Sequence, residues 1–262
     1  MSDAWIEPGD ERIDWRGQPI ACDGCAHVAL AREGRCRPGH ACVEDRYARR
    51  IDRFFDWNPD LADSHVRHPH FEVRAIAAKQ ADLFLLPALL DDPEEAVRWN
   101  AARRLPARYK LKLRTDPHRE VRIRIAASLD GAELAPMLRD CDYYVRLVAA
   151  RRIDPPLLHA LIADPEPEVR RVVASRLPAA MLAPMAYDED AGVRLCVVGR
   201  MSADAINHMR GDADWRVRHA VASATRSRIV LRELAQDTDP IVRETAAGRL
   251  DRGDAIQPEM AS

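Results

Sequence analysis

Seven Val-Arg pairs recur at a spacing of 24 residues: Val73-Arg74, Val97-Arg98, Val121-Arg122, Val145-Arg146, Val169-Arg170, Val193-Arg194 and Val217-Arg218. An eighth, Val242-Arg243, follows after one inserted residue. A period held this long dictates a stacked array, because a unit of this size cannot cover its own apolar face and must bury it against the next. Such arrays present surfaces to partners and seldom enclose a catalytic pocket. The repeat therefore constrains architecture closely and biological task loosely.

Counted from the Val, the best copies open five and four residues earlier with Asp92-Pro93, Asp116-Pro117 and Asp164-Pro165. Asp is read as the N-cap, its carboxylate meeting the free amides of the first turn, and Pro as the first helical residue, where no amide is needed. Apolar residues follow at +4, +5 and +8, as in Ala101, Ala102 and Leu105 or Val173, Ala174 and Leu177, which is one stripe of an α-helix. Pro106 and Pro178 directly after +8, and Pro155 two beyond it, mark the stop. Later copies begin Asp188-Glu189 and Asp212-Ala213, without the proline, and are expected to fray more readily.

The second half of each unit carries apolar pairs at +13 and +16: Leu86/Leu89, Leu134/Met137, Leu158/Leu161, Leu182/Met185 and Ile206/Met209, with Lys110/Leu113 as the exception. A spacing of three is not strand alternation. A first helix of about 12 residues rises about 18 Å, which leaves about eight residues, after the turns, to cover most of that distance. A 3₁₀ helix of about eight residues reaches about 16 Å where an α-helix reaches about 12 Å. The expected unit is one α-helix and one short 3₁₀ segment, giving an all-α solenoid.

The arginine after each Val (Arg74, Arg98, Arg122, Arg146, Arg170, Arg194, Arg218, Arg243) is read as a structural ladder, each guanidinium pairing with a cap Asp or a carbonyl of the adjoining turn. A second row at +7, Arg104, Arg152, Arg176, Arg200 and Arg249, is more variable and is the better candidate for an exposed, ligand-facing row. Globally, 40 basic and 42 acidic residues leave a net charge of −2, so no overall field favours nucleic acid or an anionic membrane. A 31% charged fraction with only 11 glycines reads as helical and soluble, and no run approaches the roughly 20 apolar residues of a membrane span. The opening residues 1–7 lack the basic and apolar regions of a signal peptide, so a cytoplasmic location is expected.

Four of the six cysteines fall close together, as Cys22, Cys25, Cys36 and Cys42, in the pattern C-x2-C-x10-C-x5-C. Cys22-Asp23-Gly24-Cys25 sets two thiols on one tight turn, and Gly34, Pro38 and Gly39 suit a wrapping loop. In a reducing compartment such a cluster suggests metal rather than disulfides. Spacing alone fits structural zinc and an iron–sulfur cluster equally, with a disulfide pair less favoured. His27 and His40 are near enough to compete as ligands but read better as supporting or surface residues. Cys141 and Cys196, single within the array, read as small buried hydrophobes. Tyr47, Ile51, Phe54 and Phe55, within a helix expected over 45–56, recur at spacings that would dock the cysteine module onto the first repeat. The sequence contains no Gly-rich phosphate loop, nucleophile elbow or paired-His zinc motif, so it carries no enzyme assignment.

At this point a family likeness can be stated on particular residues. Asp14-Trp15-Arg16-Gly17, the Cys22/Cys25 pair, Gly34-Arg35-Cys36, Cys42 and the run from Asp45 to Arg53 resemble the leucine-rich repeat variant proteins that bear an N-terminal iron–sulfur module. The Asp-Pro, Val-Arg and Ala-Ala units resemble that family's repeats, and the likeness covers roughly residues 14 to 251. It implies a [4Fe-4S] cluster on Cys22, Cys25, Cys36 and Cys42, in preference to zinc, and a right-handed superhelix of alternating α- and 3₁₀-helices. It supplies no activity, although family members are associated with nitrogen-fixing bacteria. The organisation expected is a 4-Cys module with its docking helix at 1–56, an eight-repeat solenoid at 57–252, with the join near residues 56 to 68, and a tail at 253–262. The functional expectation is a scaffold that binds a protein partner, with a redox, sensing or structural role for the cluster. The alternative is nucleic-acid binding through the Arg rows.

Overall fold

The computed structural model describes residues 12–253. The expected tail, apart from Gly253, and the opening residues 1–7 lie outside the described residues. Among the described residues there are helices, three isolated bridges (Ile13 with Pro19, Asp14 with Asp45, Arg37 with Ala41) and no β-strand, as the spacing of three required. The chain divides into two compact units, Met1–Leu129 and Asp130–Ser262.

In the first unit the cysteine-bearing segment, with a short helix Val28–Arg32, precedes helices Ala48–Trp57, Ala62–His65, Phe71–Ala77, Glu95–Arg104 and Arg119–Ala126. The return segments are 3₁₀: Leu86–Asp91 and Leu111–Thr115, the latter after one α-turn at Ala107–Lys110. In the second unit, helices Tyr143–Arg152, Pro167–Arg176, Ala191–Val198 and Trp215–Ala224 alternate with 3₁₀ segments Ala135–Arg139, Pro155–Leu161, Ala183–Tyr187 and Ala205–Gly211, the first of these after an α-turn at Gly131–Leu134. The last return, Arg228–Leu234, is α-helical and leads into Pro240–Arg252. That exception falls where the repeat gains its extra residue.

The core follows the template. The eight repeat valines are at most 1% exposed, and the +4/+5 pairs Ala101/Ala102, Ala149/Ala150 and Val173/Ala174 are fully buried. On the return side Leu86, Leu134, Leu158, Leu182 and Ile206 are fully buried. Side chains this enclosed contribute about 1.5–3 kcal/mol each through removal from water.

The Val-Arg arginines form the expected ladder, and its geometry is uniform. Arg98 sends Nε and Nη2 to the two carboxylate oxygens of Asp116 in the next repeat, both at 2.7 Å, and its Nη1 to the carbonyls of Asp92 and Pro93 in its own repeat, both at 2.9 Å. Arg74–Asp92, Arg146–Asp164, Arg170–Asp188, Arg194–Asp212 and Arg218–Asp237 repeat this bidentate clasp. Each carboxylate holds its guanidinium's pKa above the ordinary arginine value.

Three expectations about these polar residues need correction. The Asp of Asp-Pro is not the N-cap: the helix begins at Glu95, and Asp92 Oδ1 instead accepts from the Glu94 amide in a turn just outside it, as Asp116 and Asp164 do for His118 and Glu166. Its carboxylate is already committed to the preceding repeat's arginine. The later copies are not the weakly started ones. Asp142, Asp190, Asp214 and Asp239, the last with Pro240 as the first helical residue, are true N-caps whose side chains accept amides of the first turn, a device absent from the copies that open at Asp92, Asp116 and Asp164. Finally, the +7 arginines are not a free row. Arg104 reaches the carbonyls of Ala78 and Ala81, Arg176 those of Ala150 and Ile153, Arg200 those of Ala174 and Leu177, and Arg249 those of Ala222 and Thr225. They close the carbonyl ends of the preceding helices, which helix termini otherwise leave unsatisfied. Arg152 pairs with exposed Asp130.

Candidate metal centre

The four clustered cysteines come together around one cavity, and short-range backbone chemistry brings them there. Gly24 at φ 88° lets the chain reverse between Cys22 and Cys25, whose amide returns to the Cys22 carbonyl at 3.1 Å. Only glycine adopts that angle without strain. The short helix Val28–Arg32 then ends so that the amides of Arg35 and Cys36 both return to Leu30 O, at 2.8 and 3.2 Å. Arg37 and Ala41 pair across a tight hairpin with Gly39 at φ 78°, which sets Cys36 and Cys42 side by side at its open end.

Cys36 and Cys42 are buried, Cys22 and Cys25 half-buried, and all four line a cavity of about 530 Å³ with Asp14, Glu44 and His27 on its walls. The docking helix supports the buried pair from beneath. Ile51, Phe54 and Phe55 of Ala48–Trp57 are fully buried, and Arg50 O accepts the amide of Cys42 at 3.2 Å. Tyr47 departs from the expected stripe. It precedes the helix, is 39% exposed, and lies beneath the guanidinium groups of Arg46 and Arg50.

The electrostatics of the thiols disfavour accumulated negative charge. The hydrogen bond between Cys36 and Cys42 lowers the pKa of the first and raises that of the second, so this pair releases one proton readily and retains the other. Burial, and then the neighbouring cysteines and Asp23, raise the Cys22 thiol. Four thiolates here need a positive counter-charge, which iron in a cluster supplies. Among the described residues no three His, Cys, Asp or Glu side chains converge on a single ion position. The four thiols line one cavity that has room for a multinuclear group.

Residues 12–64 match the family model described as "LRV protein FeS4 cluster". A solved structure titled "A leucine-rich repeat variant with a novel repetitive protein structural motif" aligns at 39% identity with a TM-score of 0.81, over 88% of this chain and 98% of that one. The chain belongs to the leucine-rich repeat variant family. This variant is an iron–sulfur helical-repeat protein whose N-terminal segment is a [4Fe-4S] cluster domain. It is also 50% identical over 99 residues to the "Uncharacterized 27.7 kDa protein in nifB 3'region" of Rhodobacter capsulatus. That match spans 38% of this chain and 40% of the relative's length.

Around the cavity, several side chains do work that the sequence reading did not assign. Glu44 lines the wall and takes a hydrogen bond from Trp15 Nε1 at 3.1 Å, while His68 lies 3.8 Å from its other oxygen. His68 foremost, with Trp15, holds its carboxyl down at about 2, so it stays ionised. Fully buried Asn58, read from the sequence only as part of a chain break, donates from Nδ2 to the carbonyls of Arg35 and Phe54, both at 2.8 Å. It ties the residue before Cys36 to the docking helix. His27 lines the cavity, and its amide donates to Cys25 Sγ at 3.4 Å. His40 does not face the cavity; Arg53 holds it against Trp57. The density of His65, His68 and His70 over six residues was the available signal for this corner. Away from the centre, Cys141 is exposed and Cys196 half-buried, against the expectation of two enclosed thiols. Among the described residues no helix is long and apolar enough to cross a membrane.

Proposed function

We propose that Cys22, Cys25, Cys36 and Cys42 hold the cluster and that the protein is a redox-linked scaffold whose repeats bind a protein partner in the cytoplasm. The single observation carrying the cluster assignment is the shared cavity, lined by all four thiols and by no other cysteine. A [4Fe-4S] cluster supplies one-electron transfer at a potential set by its surroundings. The chain's own groups prepare those surroundings. The His27 amide shares the negative charge of Cys25, the docking helix and Asn58 fix the loop that carries Cys36 and Cys42, and ionised Glu44 adds a fixed negative charge at the wall. Half-buried Cys22 and Cys25 lie on the more exposed side, where a partner can approach within transfer distance.

What the repeats do with their arginines supports a protein rather than a nucleic acid as partner. Phosphate binding draws on cationic groups free to face solvent, whereas both Arg rows here are largely spent on carboxylates and carbonyls inside the fold. The nifB-region name of the Rhodobacter relative supports a setting connected with nitrogen fixation.

Protein purified without oxygen is expected to contain iron and acid-labile sulfide in equal amounts, with the broad visible absorption of a cubane. Joint replacement of Cys36 and Cys42 by Ser abolishes both; an unchanged iron content in that variant sinks the assignment. Affinity capture from the native cell, repeated with the Ser variant, tests the redox link. Equal capture of the same partner reduces the module to an end cap, and capture of salt-sensitive nucleic acid in place of protein revives the other reading.

A further inference from the structure

We propose that His65, a residue of the segment that follows the docking helix, is a positioning residue for the cluster site: it fixes the tautomer of His27 at the cavity wall and thereby sets the cluster's reduction potential. The proposal rests on the reading that the four cysteines hold the cluster. Its basis is a contact between two rings from distant parts of the chain, His27 Nε2 to His65 Nε2 at 3.2 Å.

The hydrogens of this contact follow from what surrounds it. His65 Nδ1 lies 2.8 Å from the carbonyl of Leu61, and Ser64 Oγ, 3.0 Å from the same nitrogen, also donates to that carbonyl at 2.8 Å. A carbonyl oxygen only accepts, so His65 Nδ1 carries a hydrogen. The second nitrogen of His65 is then a lone pair in the neutral ring, and the hydrogen between the rings belongs to His27 Nε2. Neutral His27, in turn, keeps a bare Nδ1. The pair is held sideways by aromatic packing, with His27 against Phe54 and His65 edge-on to Phe55. His65 is 8% exposed, so water does not readily replace it as acceptor.

A histidine at the cavity wall whose ring hydrogen is committed elsewhere withholds a donor from the site. Hydrogen bonds donated toward cluster sulfurs favour the reduced, more negative state, and their number is one of the protein's means of tuning potential. Removing the acceptor at position 65 frees His27 to carry its hydrogen on Nδ1. The potential then rises.

The test uses the holoprotein, His65→Phe and His65→Gln, each titrated with dithionite under mediators while iron and sulfide are assayed. His65→Phe preserves bulk but offers no acceptor, and the expected result is about a tenfold higher reduced-to-oxidised ratio at a fixed ambient potential, or about 59 mV for a one-electron couple. His65→Gln restores an acceptor oxygen and is expected to return toward the parent value, which a packing role alone does not predict. A full cluster with an unmoved or lowered potential in His65→Phe overturns the proposal while leaving the cysteine assignment intact. Absence of iron and sulfide from the parent protein overturns both. Should His65→Phe fail to fold, imidazole ¹⁵N spectra of the parent decide: hydrogens on His27 Nε2 and His65 Nδ1 support the proposal, and the opposite tautomers sink it.

Discussion

The Arg98–Asp116 pair shows what a single residue contributes to this protein. Both side chains are nearly withdrawn from water, at 9% and 1% exposure, and every guanidinium nitrogen has an acceptor. Taking charges into such surroundings is costly, so the pair's net worth is modest, but removal of one partner strands the other. Arg98→Ala is expected to cost about 3–5 kcal/mol in urea unfolding, and Arg98→Met combined with Asp116→Leu to recover most of it. A loss below about 1 kcal/mol for the single change would mean that the clasp is not a structural fastening. The role of this arginine was legible in the sequence, because Asp recurred in step with it. The role of Asp was misread, since a residue before a helical Pro is an N-cap by local rules, and only the neighbouring repeat reveals the competing claim on its carboxylate. The same blindness hid Asn58 and Glu44, whose partners are distant in sequence.

At the scale of the element, the return segment is the informative one. Its 3₁₀ geometry followed from a length argument and a spacing of three, whereas the α-helical return at Arg228–Leu234, seven residues like Pro155–Leu161, departs from that argument. Leu158 is fully buried in Pro155–Leu161, a return segment that packs against helix Pro167–Arg176. Leu158→Ala is expected to cost about 2–5 kcal/mol, read from the urea midpoint, because a rigid 3₁₀ turn cannot collapse into the void. Exposed Leu157→Ala in the same segment should cost far less, and equal losses at the two sites would contradict the assigned face. The helix starts were the least legible elements. Their caps vary between the Asp92-type and Asp142-type copies, and no local pattern marks the second kind as better closed.

For the molecule as a whole, pH exposes how far stability depends on a few paired carboxylates. Asp237 has its pKa lowered first by Arg218, Asp190 is held at about 2 by Arg171, and Glu44 is held at about 2 by His68. A carboxyl whose folded pKa lies below its unfolded value stabilises the fold above the unfolded value, about 4, and loses that contribution as pH falls through the folded one. Melting midpoints are therefore expected to decline once pH falls below about 6.5, where buried His65 and half-buried His70 resist protonation, and to fall more steeply between about pH 4 and 2 as the carboxylates protonate. A midpoint unchanged at about pH 2.5 would show that the carboxylates are dispensable. Architecture and the cysteine cavity were legible because both rest on periodic or short-range spacing. The corner of histidines, Trp15 and Glu44 was not, since it assembles from three separated stretches. The clasps also bear on how such a chain can change length in its history. Each fastens an arginine to a carboxylate 18 residues on, or 19 where the extra residue lies. Duplicating or excising a complete unit leaves every fastening intact, whereas a slip of several residues inside one unit unfastens its neighbours. Descendants of such a gene are thus free to grow or shorten in whole modules while the interior of each module stays closed to insertion.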